Sequence, residues 1–344
     1  MEKDNLNLRY MGYAKRLDEC LAYVPGFRKK YNNNIAETLQ EYGFPLIPRE
    51  FALVDFGDYF YVRYPNSAID QFSIYADEVY ERINDRYNKN KYPKNEKMRA
   101  WYQKKKDDFI EQGISRRENY CTIAFELTYG CSVGCSFCGF ASKKLSAIYE
   151  ATKDNVGLFE SLIDISIDIM GDTVKEGHLY HTSEPLDNPD YEMFSDIFYQ
   201  KTGVIPQMTT ALALRDVQRT KKILRQVNEN GNTFHRFSIR SLEELFKIYE
   251  MFLPEELLHT GLEARFDGNL VSSGRQAQKE NKYSGTISGT IGFVINMCQK
   301  TISLRYLCDA DKWNPTGEVN LCTVPFRDEI EFEELILEII EKKM

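Results

Sequence analysis

Short apolar runs alternate with longer amphipathic segments through the middle of the chain. Apolar runs with the length and composition of buried strands occur at 121–127, 177–183, 204–210, 234–240 and 261–266. Segments with helical spacing lie between them at 155–170, 190–200, 216–229 and 241–252. Strands that alternate with helices are typical of a parallel sheet. The pattern therefore predicts an α/β protein with a partial (β/α) barrel.

The two ends of the chain have different patterns. Helices are predicted at 26–42, 68–87 and 97–112, with prolines as breakers between them. Near the other end, paired strands are predicted at 286–296 and 301–307, followed by an amphipathic helix at 328–342. We expect three parts: an N-terminal helical accessory unit at 1–115, the partial barrel at 116–275, and a small C-terminal α+β extension at 276–344.

Composition and charge narrow the function classes. The 344 residues carry a net charge of −8, which argues against nonspecific binding to nucleic acid. No stretch approaches the roughly 20 apolar residues of a membrane span, and residues 1–10 are polar rather than signal-like. We therefore expect a cytoplasmic protein without nucleic-acid or membrane partners. Its eight cysteines are then expected to be metal ligands or catalytic thiols rather than disulfides.

One local segment departs from the acidic average. Residues 89–106 are rich in lysine, with Trp101 and Tyr102 interleaved. A solvated helix face is one interpretation of this segment, and a docking surface for an acidic peptide is the other. The N-terminal unit that contains it is expected either to hold the leader of a peptide substrate or to serve as a scaffold.

Three cysteines, Cys131, Cys135 and Cys138, lie within eight residues, directly after the first predicted strand. Thiolates at such tight spacings hold iron–sulfur clusters, and three ligands leave one iron open for chemistry. Zinc would require a fourth ligand close by, and the nearest candidates, Cys121 and His178, lie outside this loop. The spacing favours a catalytic cluster over zinc.

The spacing Cys-x3-Cys-x2-Cys, with Phe137 directly before the last cysteine, resembles the hallmark of the radical S-adenosylmethionine (SAM) superfamily. The resemblance implies one 4Fe–4S cluster held by the three cysteines, with SAM bound at the open iron. It also implies an external electron donor of the flavodoxin or ferredoxin type. The 5'-deoxyadenosyl radical formed from SAM would then abstract a hydrogen atom from the substrate.

Other positions resemble cofactor-binding motifs of the same superfamily. The tetrapeptide Thr-Ser-Glu-Pro that contains Ser183 and Glu184 resembles the Gly-Gly-Glu motif, with a serine in place of one glycine. The resemblance implies that these residues contact the amino group of SAM, and a helix N-cap is the alternative for Glu184. Thr209, at the end of the next predicted strand, is a further candidate for cofactor binding.

Ser238 and Arg240 lie two positions apart on one predicted strand, so their side chains share a face. They resemble the polar pair that contacts the ribose and carboxylate of SAM, and an interior ion pair is the alternative. Ser241 followed by Glu244 forms a capping box, which places Arg240 at the end of its strand.

Most of the chain resembles one subfamily, the peptide epimerases that install D-residues in ribosomally made natural products of the proteusin type. The matching stretches are 24–28, 131–138, 236–242, 253–257, 273–275 and 308–313. The resemblance implies that the substrate is a ribosomally made precursor peptide with a leader. Its L-residues would be converted to D-residues by abstraction of the Cα hydrogen.

Epimerisation requires a second hydrogen donor on the opposite face of the residue, and a thiol is suited to that step. Cys308 matches the subfamily's cysteine ahead of a tryptophan motif, which implies that it is the donor. Cys298 and Cys322 are alternatives, and a buried cysteine is often only a core residue. Another radical SAM peptide maturase, which splices a tyrosine fragment or forms thioether or carbon–carbon crosslinks, stays open. A noncatalytic metal-binding protein is a more remote alternative.

Overall fold

The computed structural model describes a mixed α/β protein, as the sequence predicts. The described residues are 2–45, 74, 78, 92–113, 120–230, 233–266, 270–277 and 286–344. They fall into two compact units: unit 1 comprises residues 1–84 and 213–267, and unit 2 comprises residues 85–212 and 268–344. The boundaries expected at 115 and 275 stay predictions. None of the described helices is long and apolar enough to cross a membrane.

Unit 1 begins with helices α1 (Glu2–Tyr23), α2 (Phe27–Asn33) and α3 (Ile35–Glu41). The single helix predicted at 26–42 is wrong, because Asn34 divides it. Asn34 has an extended backbone (φ −155°), and its side-chain oxygen accepts a hydrogen bond from the backbone of Glu37 at 3.2 Å, which caps α3. The helix predicted at 68–87 lies outside the described residues except for Ile74 and Glu78, which are both helical.

The first segment of unit 2 confirms the predicted strand at 121–127 and the helices predicted at 97–112, 155–170 and 190–200. Its elements are α4 (Glu96–Glu111), β1 (Cys121–Glu126), β2 (Thr128–Tyr129), β3 (Ala147–Ile148), α5 (Lys153–Met170), α6 (Tyr191–Thr202) and β4 (Thr209–Thr210). Every residue of β1 is buried, and β2 pairs antiparallel with β3.

Two predicted strands of this segment are largely absent. Residues 177–183 make one isolated bridge, between His178 and Ala124. Farther along, the backbone N–H of Thr182 donates to the Glu126 side chain and therefore not to a neighbouring strand. The strand predicted at 204–210 is limited to its last two residues, since Pro206 has no N–H to donate to a ladder. The partial barrel therefore stays a prediction.

The second segment of unit 1 follows the predicted order of helices and strands. It contains α7 (Val217–Asn230), β5 (His235–Ile239), α8 (Leu242–Met251) and β6 (Thr260–Ala264). Strands β5 and β6 pair in parallel. In the same unit, Gly12 of α1 packs against Pro254, and a Cβ at Gly12 would lie 2.4 Å from the Pro254 carbonyl carbon.

The second segment of unit 2 completes its main sheet. Strands β7 (Thr290–Asn296), β8 (Thr301–Leu307) and β9 (Glu318–Pro325) precede helix α9 (Glu329–Lys343). The strand order is β1-β7-β8-β9, with β1 parallel to β7 and the later pairs antiparallel. The predicted elements of this segment are confirmed, whereas β9 was missed because its residues are mostly half-exposed and lack an apolar run.

Candidate functional site

The three cysteines lie on the connection between β2 and β3. Residues 130–146, which we call the cysteine loop, begin shortly after the carboxyl end of the buried strand β1, with the short strand β2 in between. Chemistry in sheets with parallel strands is commonly carried by loops at this end. The position predicted from the sequence is therefore the one that the structure shows.

The base of the cysteine loop is closed at its first cysteine. Gly130 has a left-handed backbone (φ +91°), and a Cβ there would lie 2.4 Å from the carbonyl oxygen of Lys144. The backbone of Cys131 donates to the Lys143 carbonyl at 2.9 Å and accepts from Leu145 at 3.2 Å. A glycine is therefore required where the two ends of the loop meet.

Asp187 fixes the residue after the first cysteine. Its Oδ2 accepts the backbone N–H of Ser132 at 2.8 Å, and its Oδ1 accepts the Ser132 hydroxyl at 2.6 Å. Asp187 is buried and ends the 3-10 turn Pro185–Asp187, for which Glu184 is the N-cap. The cysteine loop is in this way tied to the segment that carries Ser183 and Glu184.

The second and third cysteines lie on consecutive turns. The backbone N–H of Cys138 donates to the Cys135 carbonyl at 3.2 Å, and that of Ala141 donates to the Cys138 carbonyl at 3.1 Å. All three cysteine side chains and Phe137 are half-buried, and none of the three cysteines is in a disulfide. The three cysteines thus lie on one short loop, and their role as cluster ligands stays a prediction.

Cysteine thiols are the type of ligand that a 4Fe–4S cluster takes. Burial raises the pKa of the Cys131 thiol, while backbone N–H groups of Val133 and Gly134 directed at its sulfur act to lower it. Such amides also stabilise the sulfurs of clusters. Within the described residues, no group of three or more His, Cys, Asp or Glu side chains is arranged to hold a metal ion. The three thiols are therefore not gathered as metal ligands in this structure, and their binding of a cluster stays a prediction.

A second segment, residues 273–276, covers the cysteine loop. The guanidinium of Arg275 donates to the carbonyl oxygens of Cys135 and Ser142, both at 2.6 Å. Its backbone N–H donates to the Cys138 carbonyl at 2.9 Å, and the Gln276 side chain donates to the Ser136 carbonyl at 2.6 Å. All of these bonds end on main-chain oxygens, so the thiols take no part in them.

The contact between the two segments depends on glycine. Gly274 has φ +57°, and a Cβ there would lie 2.4 Å from the carbonyl oxygen of Cys138 and from the carbonyl carbon of Gly139. A Cβ at Gly139 would in turn lie 2.8 Å from the hydroxyl of Ser273. The two backbones are therefore packed directly against each other.

Glu184 is buried, with 4% of its surface exposed. Its Oε1 accepts the Thr210 hydroxyl at 2.5 Å and the backbone N–H of Leu186 at 3.1 Å, and its Oε2 accepts the backbone N–H of Ala211 at 2.9 Å. Burial raises its pKa to about 7, although these hydrogen bonds act in the opposite direction. The N-cap alternative is confirmed, and the contact with SAM stays a prediction.

The other two cofactor candidates of unit 2 are less enclosed. Ser183 is half-buried, directly before Glu184. The Thr209 hydroxyl accepts hydrogen bonds from the Tyr180 hydroxyl at 2.8 Å and from the Gln207 side chain at 3.0 Å. Ser183 precedes Glu184, and Thr209 precedes Thr210, whose hydroxyl binds Glu184. The cofactor roles of Ser183 and Thr209 stay predictions.

Ser238 and Arg240 belong to unit 1. Ser238 is half-buried in β5, and Arg240 directly follows that strand, as the capping box predicts. The Ser241 hydroxyl caps α8, and the Arg240 guanidinium pairs with Glu244 at 2.7 Å. Arg240 lines an open depression of about 720 Å³ on α8. The ion-pair alternative is therefore present, at the surface rather than in the interior, and contact with SAM stays a prediction.

A polar cavity of about 280 Å³ opens beside the cysteine loop. Glu126, the last residue of β1, and Asn296, the last residue of β7, line it together with Thr182 and loop residues 140–143. The Glu126 carboxylate accepts the backbone N–H and the hydroxyl of Thr182, both at 2.7 Å, and the Asn296 side chain at 3.2 Å. The remaining lone pair of this carboxylate can accept one more donor from a ligand.

A buried charge network fixes another wall of the cavity. Glu318 contacts the His181 imidazole at 2.9 Å, the Ser288 hydroxyl at 2.5 Å and the cavity-lining Arg305 at 3.2 Å. Burial acts to raise the pKa of Glu318, but His181, Arg305 and Ser288 outweigh it and lower that pKa to about 2. The Phe140 ring of the cysteine loop lies 5.0 Å from the His181 ring. The guanidinium of Arg305 is therefore held in place at the cavity, and its charge is opposite to that of the Glu126 carboxylate.

Cys308, the expected hydrogen donor, directly follows β8. It is half-buried, and burial together with Asp311, Asp309 and Glu318 raises its pKa to about 11. The thiol therefore stays protonated at neutral pH, which a hydrogen-atom donor requires. Its distance from a substrate stays a prediction.

The two alternative thiols differ in position. Cys298 follows β7, and its Sγ lies 3.8 Å from the carbonyl oxygen of Leu127, just before the strand that enters the cysteine loop. Burial and Glu126 raise the pKa of Cys298 to about 11. Cys322 lies within β9, opposite Leu304 of β8. Cys298 therefore contacts the residue that precedes strand β2, which leads into the cysteine loop.

Several site residues were not singled out from the sequence. Asp187, Glu126 and Glu318 are isolated carboxylates without a motif, and no sequence signal marks their partners. Arg275 lies in a stretch, 273–275, that matched the subfamily, but the stretch assigned it no role. The one available signal was the glycine before it, Gly274, because glycine often marks a position that needs a positive φ.

The described residues define a mixed α/β protein with a cysteine loop beside a polar cavity. No protein-family model matches the sequence. Among solved structures, the crystal structure of BtrN in complex with AdoMet and 2-DOIA is similar at 15% sequence identity and a TM-score of 0.39, covering 54% of this chain and 72% of that chain. A similarity at this level is too low to support a conclusion about fold or function.

A relative in Sinorhizobium fredii is much closer in sequence. The chain is 30% identical to the uncharacterized protein y4wI over an alignment of 366 positions, and the match covers 98% of this chain and 71% of y4wI. The chain therefore belongs to the family of y4wI.

Proposed function

We propose that this protein is a radical SAM enzyme that epimerises residues of a ribosomally made precursor peptide. The observation that carries the proposal is the cysteine loop, which presents Cys131, Cys135 and Cys138 at the end of a buried strand. These thiols would hold a 4Fe–4S cluster. With SAM bound, such a cluster supplies the one-electron cleavage that yields a 5'-deoxyadenosyl radical.

Hydrogen bonds from other segments hold the main chain of the loop. Asp187, Arg275 and Gln276 bind backbone groups of the loop. A metal site held by supporting hydrogen bonds keeps its ligands oriented when the metal binds. This support favours a resident cofactor over a loop of surface cysteines without chemistry.

The adjoining cavity supports a peptide as the substrate. It offers an acceptor at Glu126 and donors at Asn296 and Arg305, which match the N–H and C=O groups of a peptide backbone. A partly enclosed site also shields a carbon radical from competing reactions. Cys308 is the proposed donor of the returning hydrogen, with Cys298 as the alternative.

Anaerobic reconstitution with iron and sulfide, followed by reduction in the presence of SAM, tests the cofactor. We expect 5'-deoxyadenosine from the wild type and none from the variant in which all three loop cysteines are alanine. Equal product from both proteins would contradict the proposal.

The reaction type is tested with the precursor peptide in deuterium oxide. Epimerisation adds one deuteron per converted residue and leaves the mass unchanged in ordinary water. A loss of two hydrogens or of a larger fragment in ordinary water would instead show crosslinking or splicing.

A further inference from the structure

Unit 2 contains a groove that combines lysines with apolar side chains, away from the polar cavity. The groove has a volume of about 410 Å³ and lies between α4, β8, β9 and the end of α9. Its principal side chains are Trp101, Lys104, Lys105, Tyr306, Leu321 and Lys343. None of them lines the cavity beside the cysteine loop. The groove is therefore a separate surface that the proposed chemistry does not use.

The floor of the groove is aromatic and fixed. Trp101 is 7% exposed, and its ring meets that of Tyr306 edge-on, with centroids 6.3 Å apart. The Phe109 ring stacks on Tyr306 at 6.4 Å, and the ammonium of Lys105 lies 4.1 Å from the centre of the Tyr306 ring. Aromatic side chains held in this way give a partner a preformed apolar contact.

The rim of the groove is positively charged. Lys105 has Asp108 at 3.8 Å, and the neighbouring Lys97 pairs with Glu341. Lys104 and Lys343 have no carboxylate within ion-pair distance among the residues that the structure describes. Since the chain carries a net charge of −8, this local excess of cations is the reverse of the general surface charge.

The groove also lies along a sheet edge. Strand β9 is the last strand of the four-stranded sheet in the described part of the chain, and its Leu321 lies at the irregularity in the β8–β9 register. An edge strand offers main-chain donors and acceptors to an added peptide. The groove therefore provides apolar and charged contacts beside an edge strand.

We infer that this groove docks an acidic peptide segment. Its carboxylates pair with Lys104, Lys105 and Lys343, and its aliphatic side chains rest on Trp101, Tyr306 and Leu321. The identity of that segment as the leader of the precursor rests on the proposed function. The docking itself requires neither the cluster nor SAM.

The test measures binding of a short fluorescein-labelled peptide, in which Glu alternates with Leu, by fluorescence anisotropy. The groove variant is Lys104→Glu with Lys343→Glu, and the matched control is Lys153→Glu with Lys222→Glu, two exposed lysines on other helices. We expect the groove variant to bind about tenfold more weakly, because each reversal replaces an attraction by a repulsion. The control should bind like the wild type.

A second measurement locates the peptide. Because the protein has two tryptophans, Trp313→Phe leaves Trp101 as the sole indole, and Trp313 is 78% exposed. The acidic peptide should change Trp101 emission, and a peptide with Lys in place of Glu should not. Equal weakening by both lysine pairs, equal binding of the two peptides, or an unchanged emission would overturn the inference. So would a nucleic-acid oligomer that binds through the same lysines in place of the peptide.

The experiment also separates this inference from the proposed function. Binding is measured in air, on protein without a cluster and on the variant with all three loop cysteines changed to alanine. Retained binding by that variant supports docking even if no 5'-deoxyadenosine is formed. Binding that required the three cysteines would overturn docking at the groove.

Discussion

The guanidinium of Arg275 donates a 2.6 Å hydrogen bond to the backbone carbonyl of Cys135, the middle cysteine of the loop. The same guanidinium donates to the carbonyl of Ser142, so one side chain spans the second half of the loop. A planar fork with several N–H groups can make both bonds at once, whereas an ammonium group cannot hold that geometry. Arg275 is therefore a positioning residue for the cysteine loop, which carries the three proposed ligands.

Replacing Arg275 should weaken cluster retention. We expect Arg275→Ala to keep about fivefold less iron after reconstitution and gel filtration, since two partly exposed charge-assisted bonds contribute about 1 kcal/mol together. Arg275→Lys should recover only part of the loss. Arg327→Ala is the control, because Arg327 is 83% exposed and pairs with Glu331 far from the cysteines in sequence. An equal loss of iron in the control would contradict the positioning role.

A methyl group at Gly274 should separate the two segments. Gly274→Ala places a Cβ 2.4 Å from backbone atoms of Cys138 and Gly139, which cannot move aside as a side chain can. Gly203→Ala is matched, because Gly203 also has a positive φ, +75°, but nothing lies within 4 Å of a Cβ there. The control should lose about 1 kcal/mol of unfolding free energy, and Gly274→Ala distinctly more, together with its bound iron. Equal losses in denaturant titrations would show that the close approach is unimportant.

Glu318 should make the protein sensitive to acid. A carboxyl group whose pKa is lower in the folded than in the unfolded state stabilises the fold above its unfolded value. That contribution disappears as the pH falls from about 4.5, the ordinary value, to about 2. It amounts to roughly 3 kcal/mol in unfolding experiments across this range.

Glu318→Gln should flatten the pH dependence in that window and destabilise the protein at neutral pH, because Arg305 loses its charged partner. Glu333→Gln, at an exposed position of α9, should leave the wild-type slope in place. If the Glu318 variant kept the wild-type slope, the network would not hold that carboxylate ionised.

The returning hydrogen can be assigned by comparing three single variants. We expect Cys308→Ala to form 5'-deoxyadenosine but to deliver no solvent deuterium to the peptide. Cys298→Ala and Cys322→Ala should keep deuterium transfer within about twofold of the wild type, because both variants keep Cys308, the proposed donor. Transfer that is lost in Cys298→Ala alone would move the role to the thiol near Leu127.

Local sequence patterns carried much of the fold. The apolar spacing of α5 and the N-cap at Ser241 each depend on residues a few positions apart, and the structure confirms both. The predicted capping box is only half formed, because Glu244 accepts the backbone N–H of Arg240 instead of that of Ser241. The pattern was wrong where a nearby group intervenes. Asn34 caps a new helix inside a predicted one, and Pro206 removes a donor from a predicted strand.

The site was only partly predictable for a different reason. The cysteine spacing is local and could be recognised, whereas Asp187 and Arg275 reach the loop from positions far along the chain. Contacts between residues far apart along the chain produce no periodic pattern in a single sequence. The same holds for the network of His181 and Glu318, whose members lie on separate segments.

The order of synthesis gives the pairing of β1 with β7 a consequence for the living cell. The ribosome releases β1 and the cysteines well before Arg275 and β7, which come later in the chain. Nascent chains therefore expose the three thiols until these segments have been made. Under the proposed function, the loop retains iron only after Arg275 has reached it.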